Sequence, residues 1–297
     1  MRVFVTGATG FIGSFIVREL LSTGHQVLGM ARSDAGTQSL IAAGAEAHRS
    51  DLQDLESLRR GAASSDAVIH TAFIHDFSKF QENCEIDRRA IEALGDAMAG
   101  SGKLLIVTSG TGISTSGTGA PATENDPPVS SKVIPRGATE EAAAAVAARG
   151  VRVATMRLPQ VHDTVKQGLV SYLIQVAREK GVSAYVGEGL NRWPAAHVSD
   201  TAHLYRLALE KGAGGVYHAV AEEGVAHREI AEAIGRGLKV PVVSLSPEEA
   251  AAHFGWLAVF AGRDLPASSA QTRQQLGWNP TGPGLISDLE KMRYFQS

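Results

Sequence analysis

The chain begins with a short apolar run at residues 3–5, which leads directly into Thr-Gly-Ala-Thr-Gly-Phe-Ile-Gly at residues 6–13. A helical pattern starts within this glycine-rich sequence, which predicts a strand, a tight turn and a helix in close succession. Gly7 permits the sharp turn, Gly10 leaves the backbone open to a phosphate group, and Gly13 lets the helix pack closely on the sheet. The free N–H groups at a helix start attract anions. This context predicts a dinucleotide-binding turn, and a turn without a ligand is the alternative.

Short β-branched runs alternate with longer helical patterns through the first half of the chain, which is typical of parallel strand–helix–strand units. Strands are predicted over residues 3–6, 26–30, 67–71, 104–109 and 151–157, and helices over 13–22, 52–61, 87–100 and 138–149. We therefore predict an α/β fold, a Rossmann-type doubly wound parallel sheet with a small C-terminal substrate lobe. Residues 1–161 and about 195–222 are assigned to the dinucleotide-binding domain, and about 162–194 and 223–297 to the lobe.

The composition limits the class of partner. Of 297 residues, 44% are hydrophobic and the formal net charge is −3, so the chain has ample core material and no excess of Lys and Arg for nucleic acid or an anionic membrane. A small-molecule substrate is the expected partner. The apolar run at 254–260 is expected to line either the substrate pocket or a homodimer contact. The single cysteine, Cys84, excludes an intrachain disulfide and favours the cytoplasm. No signal peptide or membrane span is expected.

The end of the second strand indicates which dinucleotide is preferred. NAD-specific sites commonly have an acid here that accepts hydrogen bonds from the ribose hydroxyls, whereas this chain has Arg32 and Ser33 and no acid until Asp34. A guanidinium group and a hydroxyl suit a 2′-phosphate. We therefore predict that NADP(H) is preferred, with NAD(H) as the second choice. A solvated arginine at a strand end is the alternative reading of Arg32.

Further short motifs accompany the glycine-rich turn: Ser-Asp-Leu at residues 50–52, His-Thr-Ala at 70–72, Arg-Leu-Pro-Gln-Val-His at 157–162, Trp-Pro-Ala-Ala-His-Val-Ser-Asp at 193–200 and Leu-Gly-Trp-Asn-Pro at 276–280. Together they resemble the short-chain dehydrogenase/reductase superfamily, specifically its extended and atypical branches of epimerase- and dehydratase-like proteins. The resemblance covers nearly the whole chain. With the strand-end argument above, it implies a set of cofactor-binding residues: Gly7, Thr9, Gly10, Phe11, Ile12, Gly13, Arg32, Ser33, Asp51, Leu52, Thr71, Ala72, Phe73, Pro159 and Val161.

The chain departs from the superfamily at the Tyr-x-x-x-Lys pair that performs proton transfer there. None of the five tyrosines has a lysine four residues later, and the corresponding stretch, residues 132–141, contains no tyrosine. In the superfamily the tyrosine exchanges the alcohol proton, and the lysine lowers its pKa and holds the ribose. The usual alcohol dehydrogenase chemistry is therefore in doubt. Lys132 and Arg136 are candidate ribose or phosphate contacts, with solvated loop cations as the alternative.

Other side chains at strand ends are candidates for catalysis. Ser109 and Thr111 follow the fifth strand, where a hydroxyl can hydrogen-bond a substrate carbonyl; capping of the loop is the alternative role. His75 follows the fourth strand and titrates near neutral pH, and the adjacent Asp76 is a candidate to orient it. His162 is a candidate neighbour of the nicotinamide, with a hydrogen-bonded structural histidine as the alternative. The spacing of the histidines, acids and cysteine at 70–84 matches no zinc pattern, so no metal is expected.

Residues 110–135 are rich in Gly, Ser, Thr and Pro, which predicts a long loop at the ligand-binding edge of the sheet. In the lobe, Tyr185 and Trp193 are candidate apolar walls of the cleft, and Arg192 is a candidate partner for an anionic group. Plain packing or a surface position is the alternative for each. The retained lobe favours an NADPH-dependent reductase of a small carbonyl or related unsaturated compound. A catalytically silent NADP(H)-binding sensor is the alternative, and an epimerase- or dehydratase-like enzyme is a further one.

Overall fold

The structure is a computed structural model that describes residues 1–114, 119–212 and 214–294. Residues 115–118 of the predicted loop at 110–135 lie outside the described residues. So do residue 213, assigned to the dinucleotide-binding domain, and residues 295–297, assigned to the lobe.

Strands and helices alternate along most of the chain. The strands are β1 (Arg2–Thr6), β2 (Gln26–Ala31), β3 (Glu46–Arg49), β4 (Ala67–His70), β5 (Leu104–Gly110), β6 (Arg152–Leu158), β7 (Gln160–His162), β8 (Ser183–Val186), β9 (Arg192–His197), β10 (Gly215–His218), β11 (Glu222–Ala226) and β12 (Val242–Leu245). The helices are α1 (Phe11–Ser22), α2 (Asp34–Ala42), α3 (Leu55–Ala63), α4 (Phe80–Met98), α5 (Ala138–Ala148), α6 (Val170–Lys180), α7 (Val198–Lys211), α8 (His227–Leu238), α9 (Pro247–Phe254), α10 (Ala258–Ala261), α11 (Ala270–Leu276) and α12 (Leu285–Lys291).

Seven parallel strands form the central sheet in the order β10-β6-β5-β4-β1-β2-β3. From β1 the chain winds outward through β2 and β3 on one side, and through β4, β5 and β6 on the other. The direction of winding therefore reverses between β1 and β4, and open α/β sheets bind ligands outside the carboxyl ends of strands at such a point. The predicted doubly wound parallel sheet is confirmed.

Side chains of β1 alternate between the two faces of the sheet, and each face is covered by helices. Val3 and Val5 pack in one core with residues of α1 and α7, whereas Phe4 packs in a second core with residues of α3, α4 and α5. Burial on both faces explains why the strands read as continuous apolar runs in the sequence. No helix among the described residues is long and apolar enough to cross a membrane.

The lobe has its own core around two small sheets, β11-β9-β7 and β12-β8, covered by α6, α8, α9 and α12. Trp193 of β9 is fully buried in this core. Trp193 therefore has the alternative role of plain core packing and forms no wall of a cleft, because β9 is the central strand of a sheet that α8 and α12 cover. At the start of α9, Ser246 and Glu249 form a capping box.

The described part of the loop at 119–135 is fixed to the lobe and to the sheet. The backbone N–H of Ala122 donates to the Pro266 carbonyl oxygen at 2.8 Å, and Glu124 Oε1 accepts from the backbone N–H of Thr272 at 2.8 Å. The loop therefore connects the carboxyl edge of β5 to the lobe.

Candidate functional site

The turn between β1 and α1 has the geometry that a pyrophosphate requires. Gly7 has a φ of +68°, a left-handed conformation that side chains disfavour. A Cβ atom on Gly13 would lie 2.0 Å from the Gly7 carbonyl oxygen, so α1 can approach the turn this closely only with glycine at that position. Gly10 is the N-cap of α1 and supplies no side-chain cap, and no acid lies in the first helical turn. The N–H groups at the start of this twelve-residue helix are therefore open to an anion.

The segment after β4 closes one side of the same crevice. Thr71 Oγ1 donates to the Thr6 carbonyl oxygen at 2.7 Å, and the Ala72 N–H donates to Thr6 Oγ1 at 3.3 Å. A Cβ atom on Gly7 would lie 2.8 Å from both Ala72 N and Thr71 Oγ1, so the two segments touch. The resemblance implied cofactor contacts at residues 71–73, and the structure places these residues beside the turn.

The other implied cofactor residues follow strands that end at the same edge. Leu52, after β3, is buried, and the exposed Asp51 accepts hydrogen bonds from the backbone N–H groups of residues 53 and 54. Pro159 and Val161 flank the start of β7, directly after β6. The sheet thus gathers segments from four strands around the glycine turn.

At the end of β2, the structure leaves Arg32 exposed, and its guanidinium group has no hydrogen bond or ion pair within the described residues. Ser33 is the N-cap of α2, and its hydroxyl accepts from the backbone N–H of Gly36 at 3.1 Å. Asp34 forms an ion pair with Arg49 at 2.6 Å. The acid that follows Ser33 is thus already paired, whereas Arg32 is free to meet a 2′-phosphate.

These features fit a dinucleotide. The backbone cradle excludes side chains at two glycines, the start of α1 receives no protein cap, and a free guanidinium group lies at the next strand end along the sheet. An anion with two phosphates is the group that such donors satisfy.

Two hydroxyl groups lie at the end of β5. Ser109 is 4% exposed, and its Oγ has no hydrogen-bond partner among the described residues. Thr111 Oγ1 donates to the Leu158 carbonyl oxygen over a long 3.4 Å, which fits the loop-capping role. A buried hydroxyl without a partner costs free energy, so a ligand oxygen that bonds to Ser109 would remove this cost. Ser109 is therefore better placed than Thr111 to bind a substrate oxygen.

His75 is exposed, with its ring centre 5.3 Å from that of Phe73. Partial burial by its neighbours lowers the pKa of His75 below its ordinary value, and the positive charges of Arg136 and Lys166 lower it further. Asp76 does not orient the imidazole as we expected: its carboxylate accepts hydrogen bonds from the backbone N–H and hydroxyl of Ser78. The carboxylate caps the short turn that follows, which is the usual local role of aspartate.

A buried hydrogen-bonded network lies directly beneath this edge. His70, the last residue of β4, bonds through Nδ1 to Thr6 Oγ1 at 2.8 Å and through Nε2 to Asp87 Oδ1 at 3.0 Å. Asp87 Oδ2 accepts from Arg136 Nη1 at 2.7 Å and from the Thr139 hydroxyl. Burial raises the pKa of Asp87, but the Arg136 guanidinium, His70 and Thr139 together hold it below its usual value. The carboxylate is therefore charged and connects α4 to β4 and α5.

Arg136 is held in place by this network. Its Nη2 donates to the Thr108 carbonyl oxygen at 2.9 Å, and its guanidinium carbon lies 4.0 Å from the centre of the Phe73 ring. The stacking and the ion pair with Asp87 leave the side chain 16% exposed. Arg136 was a candidate ribose or phosphate contact, but in the structure its guanidinium group forms an ion pair with Asp87. Lys132 is exposed on the loop surface.

Glu140 follows Arg136 by four residues, the spacing of the superfamily's tyrosine and lysine. Glu140 binds Arg157 of β6 through both carboxylate oxygens, at 2.8 Å each, and both side chains are almost fully buried. Arg157 also donates to the carbonyl oxygen of Asp126 at 3.0 Å. This pair therefore anchors the loop after β5 to the sheet.

The lobe contacts the segment after β4 through aromatic rings. Phe77 stacks on Trp256 with ring centres 4.3 Å apart and an interplanar angle of 14°, and Tyr172 of α6 meets both rings edge-on. A cavity of about 330 Å³ lies beside Tyr172 and Trp256, on the α6–α9 side and away from the glycine turn. The segment expected to line the pocket or a subunit contact thus reaches the cleft through Trp256.

Two lobe residues are paired within the protein, and for His162 this is the alternative, structural role. Arg192 binds both oxygens of Asp264, at 3.0 and 2.8 Å, and also donates to the Gly119 carbonyl oxygen, so its charge is already paired. His162 is fully buried, and its Nδ1 lies 2.7 Å from Asp288 Oδ2 of α12. Burial lowers the pKa of His162 despite the Asp288 carboxylate. This histidine joins β7 to the C-terminal helix.

The model of the NAD dependent epimerase/dehydratase family matches residues 3–220. The chain belongs to this family. A protein of Schizosaccharomyces pombe described as uncharacterised is 50% identical over 297 residues, covering 99% of this chain and 100% of its own length. A UDP-glucose 4-epimerase of Streptomyces lividans is 28% identical, covering 97% of this chain and 94% of its own length.

Solved structures of similar fold include family enzymes with bound NAD. The Thermus thermophilus UDP-glucose 4-epimerase complex with NAD has a TM-score of 0.77 at 22% identity and covers 99% of each chain. The Streptomyces venezuelae dTDP-glucose 4,6-dehydratase with NAD and TYD bound has a TM-score of 0.78 at 19% identity, covering 99% of this chain and 97% of that one. These likenesses show that this family member has the fold of those enzymes.

Asp87 and Glu140 had no role predicted from the sequence. A signal for Asp87 was present: Asp87, Ile91 and Leu94 lie at helical spacing on one stripe of α4, and all three are buried. An acid on an apolar stripe requires a charged or hydrogen-bonding partner inside the protein.

Proposed function

We propose that this chain is an NADPH-dependent reductase of a small carbonyl or related unsaturated compound. The single observation that carries the proposal is the buried Ser109 hydroxyl without a partner, at the end of β5 and across β4 from the open glycine turn of β1. A bound dinucleotide would accept hydrogen bonds from the free N–H groups at the start of α1, and a substrate oxygen would accept one from Ser109. The preference for NADPH over NADH is supported by the free Arg32.

The expected chemistry is a two-electron reduction. When bound, NADPH supplies the hydride that forms the new C–H bond and is itself oxidised to NADP⁺. As the C–H bond forms, the electron pair of the carbonyl π bond moves onto oxygen, and Ser109 would donate a hydrogen bond to that oxygen as its charge develops. The oxygen then takes one proton, which completes the alcohol.

His75 is our proposed source of that proton. It lies on the segment that borders the turn, and an imidazolium is a far stronger acid than a serine hydroxyl. Because the pKa of His75 is lowered below its ordinary value of 6.5, the protonated imidazolium becomes the major form only in solutions more acidic than that value. This assignment therefore requires a turnover number that rises as the solution becomes more acidic. Ordered water is the alternative donor.

Two other functions remain candidates. A silent NADP(H) sensor is favoured by the residues at the start of α5, where Arg136 and Glu140 form internal ion pairs and offer no proton donor. An epimerase or dehydratase is favoured by family membership and by the names of the relatives.

The test is NADPH consumption, followed by absorbance, with a panel of aldehydes, ketones and imines. We expect turnover of at least one panel member, and a Ser109→Ala variant should lower kcat by about 10²–10³-fold while NADPH affinity is unchanged. Ser199→Ala, an exposed serine at the start of α7, is the control. Tight NADPH binding without any turnover would favour the sensor, and interconversion of a nucleotide sugar without net NADPH loss would favour the epimerase.

A further inference from the structure

Three polar side chains lie at the carboxyl ends of neighbouring strands, on one face of the central sheet. They are Thr6 of β1, His70 of β4 and Ser109 of β5, and β4 is the middle strand of the three. The strand residues two positions before each of them all belong to the core formed with α3, α4 and α5, so the three side chains share that face. His70 therefore lies on the strand between the glycine turn and the hydroxyl proposed to bind a substrate oxygen.

The partners of His70 indicate which ring nitrogen carries the hydrogen. The Asp87 carboxylate can only accept, so Nε2 of His70 is the donor across the 3.0 Å between them. The neutral ring then accepts at Nδ1, 2.8 Å from Thr6 Oγ1, and the Thr6 hydroxyl is the donor. A second hydrogen, on Nδ1, would leave the Thr6 hydroxyl hydrogen without an acceptor among the described residues. The hydrogen bonds thus favour a single tautomer, with the hydrogen on Nε2.

The direction of these bonds affects the crevice because Thr6 directly precedes Gly7. With its hydrogen directed to His70, Thr6 Oγ1 accepts from the backbone N–H of Ala72 at 3.3 Å. The Thr6 carbonyl oxygen accepts from the Thr71 hydroxyl at 2.7 Å. Thr6 and His70 are at most 1% exposed, so solvent does not replace these bonds. Thr6 therefore joins the glycine turn to the segment after β4, and His70 orients the hydroxyl that takes part.

The other end of the network reaches the end of β5. Asp87 accepts from Arg136 Nη1 at 2.7 Å, and Arg136 Nη2 donates to the Thr108 carbonyl oxygen at 2.9 Å, one residue before Ser109. Protein groups alone thus connect the ends of β1, β4 and β5. Because these segments are already held together, less ordering is required when a ligand binds between them.

We propose that His70 is a positioning residue for the dinucleotide: it holds the Thr6 hydroxyl in one direction and so fixes the spacing between the glycine turn and residues 71–73. Both ring nitrogens are already hydrogen-bonded, so His70 acts through Thr6 and does not touch the ligand. The inference concerns binding of the dinucleotide. It therefore goes beyond the proposed reductase function and holds equally for a sensor or an epimerase.

Two substitutions of His70 separate its two hydrogen bonds. A glutamine amide reaches as far as Nε2 and can keep the bond to Asp87, whereas an asparagine amide reaches as far as Nδ1 and can keep the bond to Thr6. In calorimetry, His70→Gln should weaken NADP⁺ binding by about tenfold, and His70→Asn should keep most of the affinity. Urea unfolding should rank the two variants the other way, because His70→Asn loses the bond to a charged group. A purely structural role would make affinity follow stability.

Two threonines supply matched controls, because both are fully buried and both donate hydroxyl hydrogen bonds within this network. Thr6→Val should lower NADP⁺ affinity about as much as His70→Gln, and Thr6→Ser, which keeps the hydroxyl, should bind nearly as tightly as the unmodified chain. Thr139→Val, at the α5 end of the network, should lower stability and leave NADP⁺ affinity unchanged.

NMR of the ring nitrogens tests the tautomer in the unmodified chain. We expect the hydrogen of His70 on Nε2, with and without NADP⁺, at about pH 8, where an ordinary histidine is neutral. A hydrogen on Nδ1, unchanged NADP⁺ affinity in His70→Gln, or a loss in Thr139→Val as large as that in Thr6→Val would each overturn the proposal. The expected affinities without any NADPH oxidation would instead refute only the reductase function.

Discussion

Removing the charge of Asp87 tests the buried network that fixes the floor of the site. Asp87→Asn keeps the shape of the side chain but removes the charge that faces Arg136 Nη1 at 2.7 Å and His70 Nε2 at 3.0 Å. Because Asp87 is 1% exposed and Arg136 only 16%, solvent cannot replace the lost charge. Breaking a buried ion pair from one side costs about 3–5 kcal/mol, so we expect a loss of that order in the free energy of unfolding.

Urea unfolding of both proteins gives this difference directly. Asp96→Asn is the matched control on the same helix, since its ion pair with Arg149 is nearly half exposed on both sides and should be worth about 0–1 kcal/mol. The pKa of Asp87 is lowered in the folded state, so its contribution is present above the ordinary aspartate pKa and disappears as the pH falls through the folded value. The difference in stability between the two proteins should therefore shrink as the pH falls below the ordinary aspartate pKa. A loss no larger than that of the control at pH 7 would refute the account of this network.

Three further changes test the cofactor site and the proton source. Arg32→Ala should weaken NADPH binding by about 1–3 kcal/mol and barely change NADH binding; calorimetry that finds equal losses for both would remove the 2′-phosphate assignment. Gly13→Ala places a Cβ atom 2.0 Å from the Gly7 carbonyl oxygen, so the affinity for both dinucleotides should fall at least about tenfold. Gly262→Ala is the control and should have no effect, because its Cβ atom would lie 3.9 Å from the nearest side chain. His75→Ala should abolish the rise of kcat below pH 6.5 and lower kcat there by about 10²–10⁴-fold, and an unchanged pH profile would assign the proton to water.

The sheet and the glycine turn could be predicted because they depend on local patterns. Gly7 and Gly13 serve backbone geometry within a few residues of themselves, and buried strands such as β1 read as apolar runs wherever they lie in a sequence. The N-cap at Ser246 is likewise decided within one helical turn.

The partners of the charged residues could not be predicted, because they are chosen by the topology. Asp87 and Arg136 are 49 residues apart, and Arg192 and Asp264 are 72 apart. A free arginine and a paired one look the same in a sequence. Arg192 was therefore read as an anion contact, and Arg32 could be judged free only once its surroundings were described.

Transfer of deuterium from NADPH labelled at the reactive carbon of its nicotinamide, to an aldehyde of the panel, tests the central claim most directly. Mass spectrometry of the alcohol should find one deuterium per molecule, bound to the former carbonyl carbon, with NADP⁺ formed in equal amount. Tight NADPH binding with no labelled product from the aldehyde or from any other carbonyl or imine would contradict the claim that this chain is a reductase.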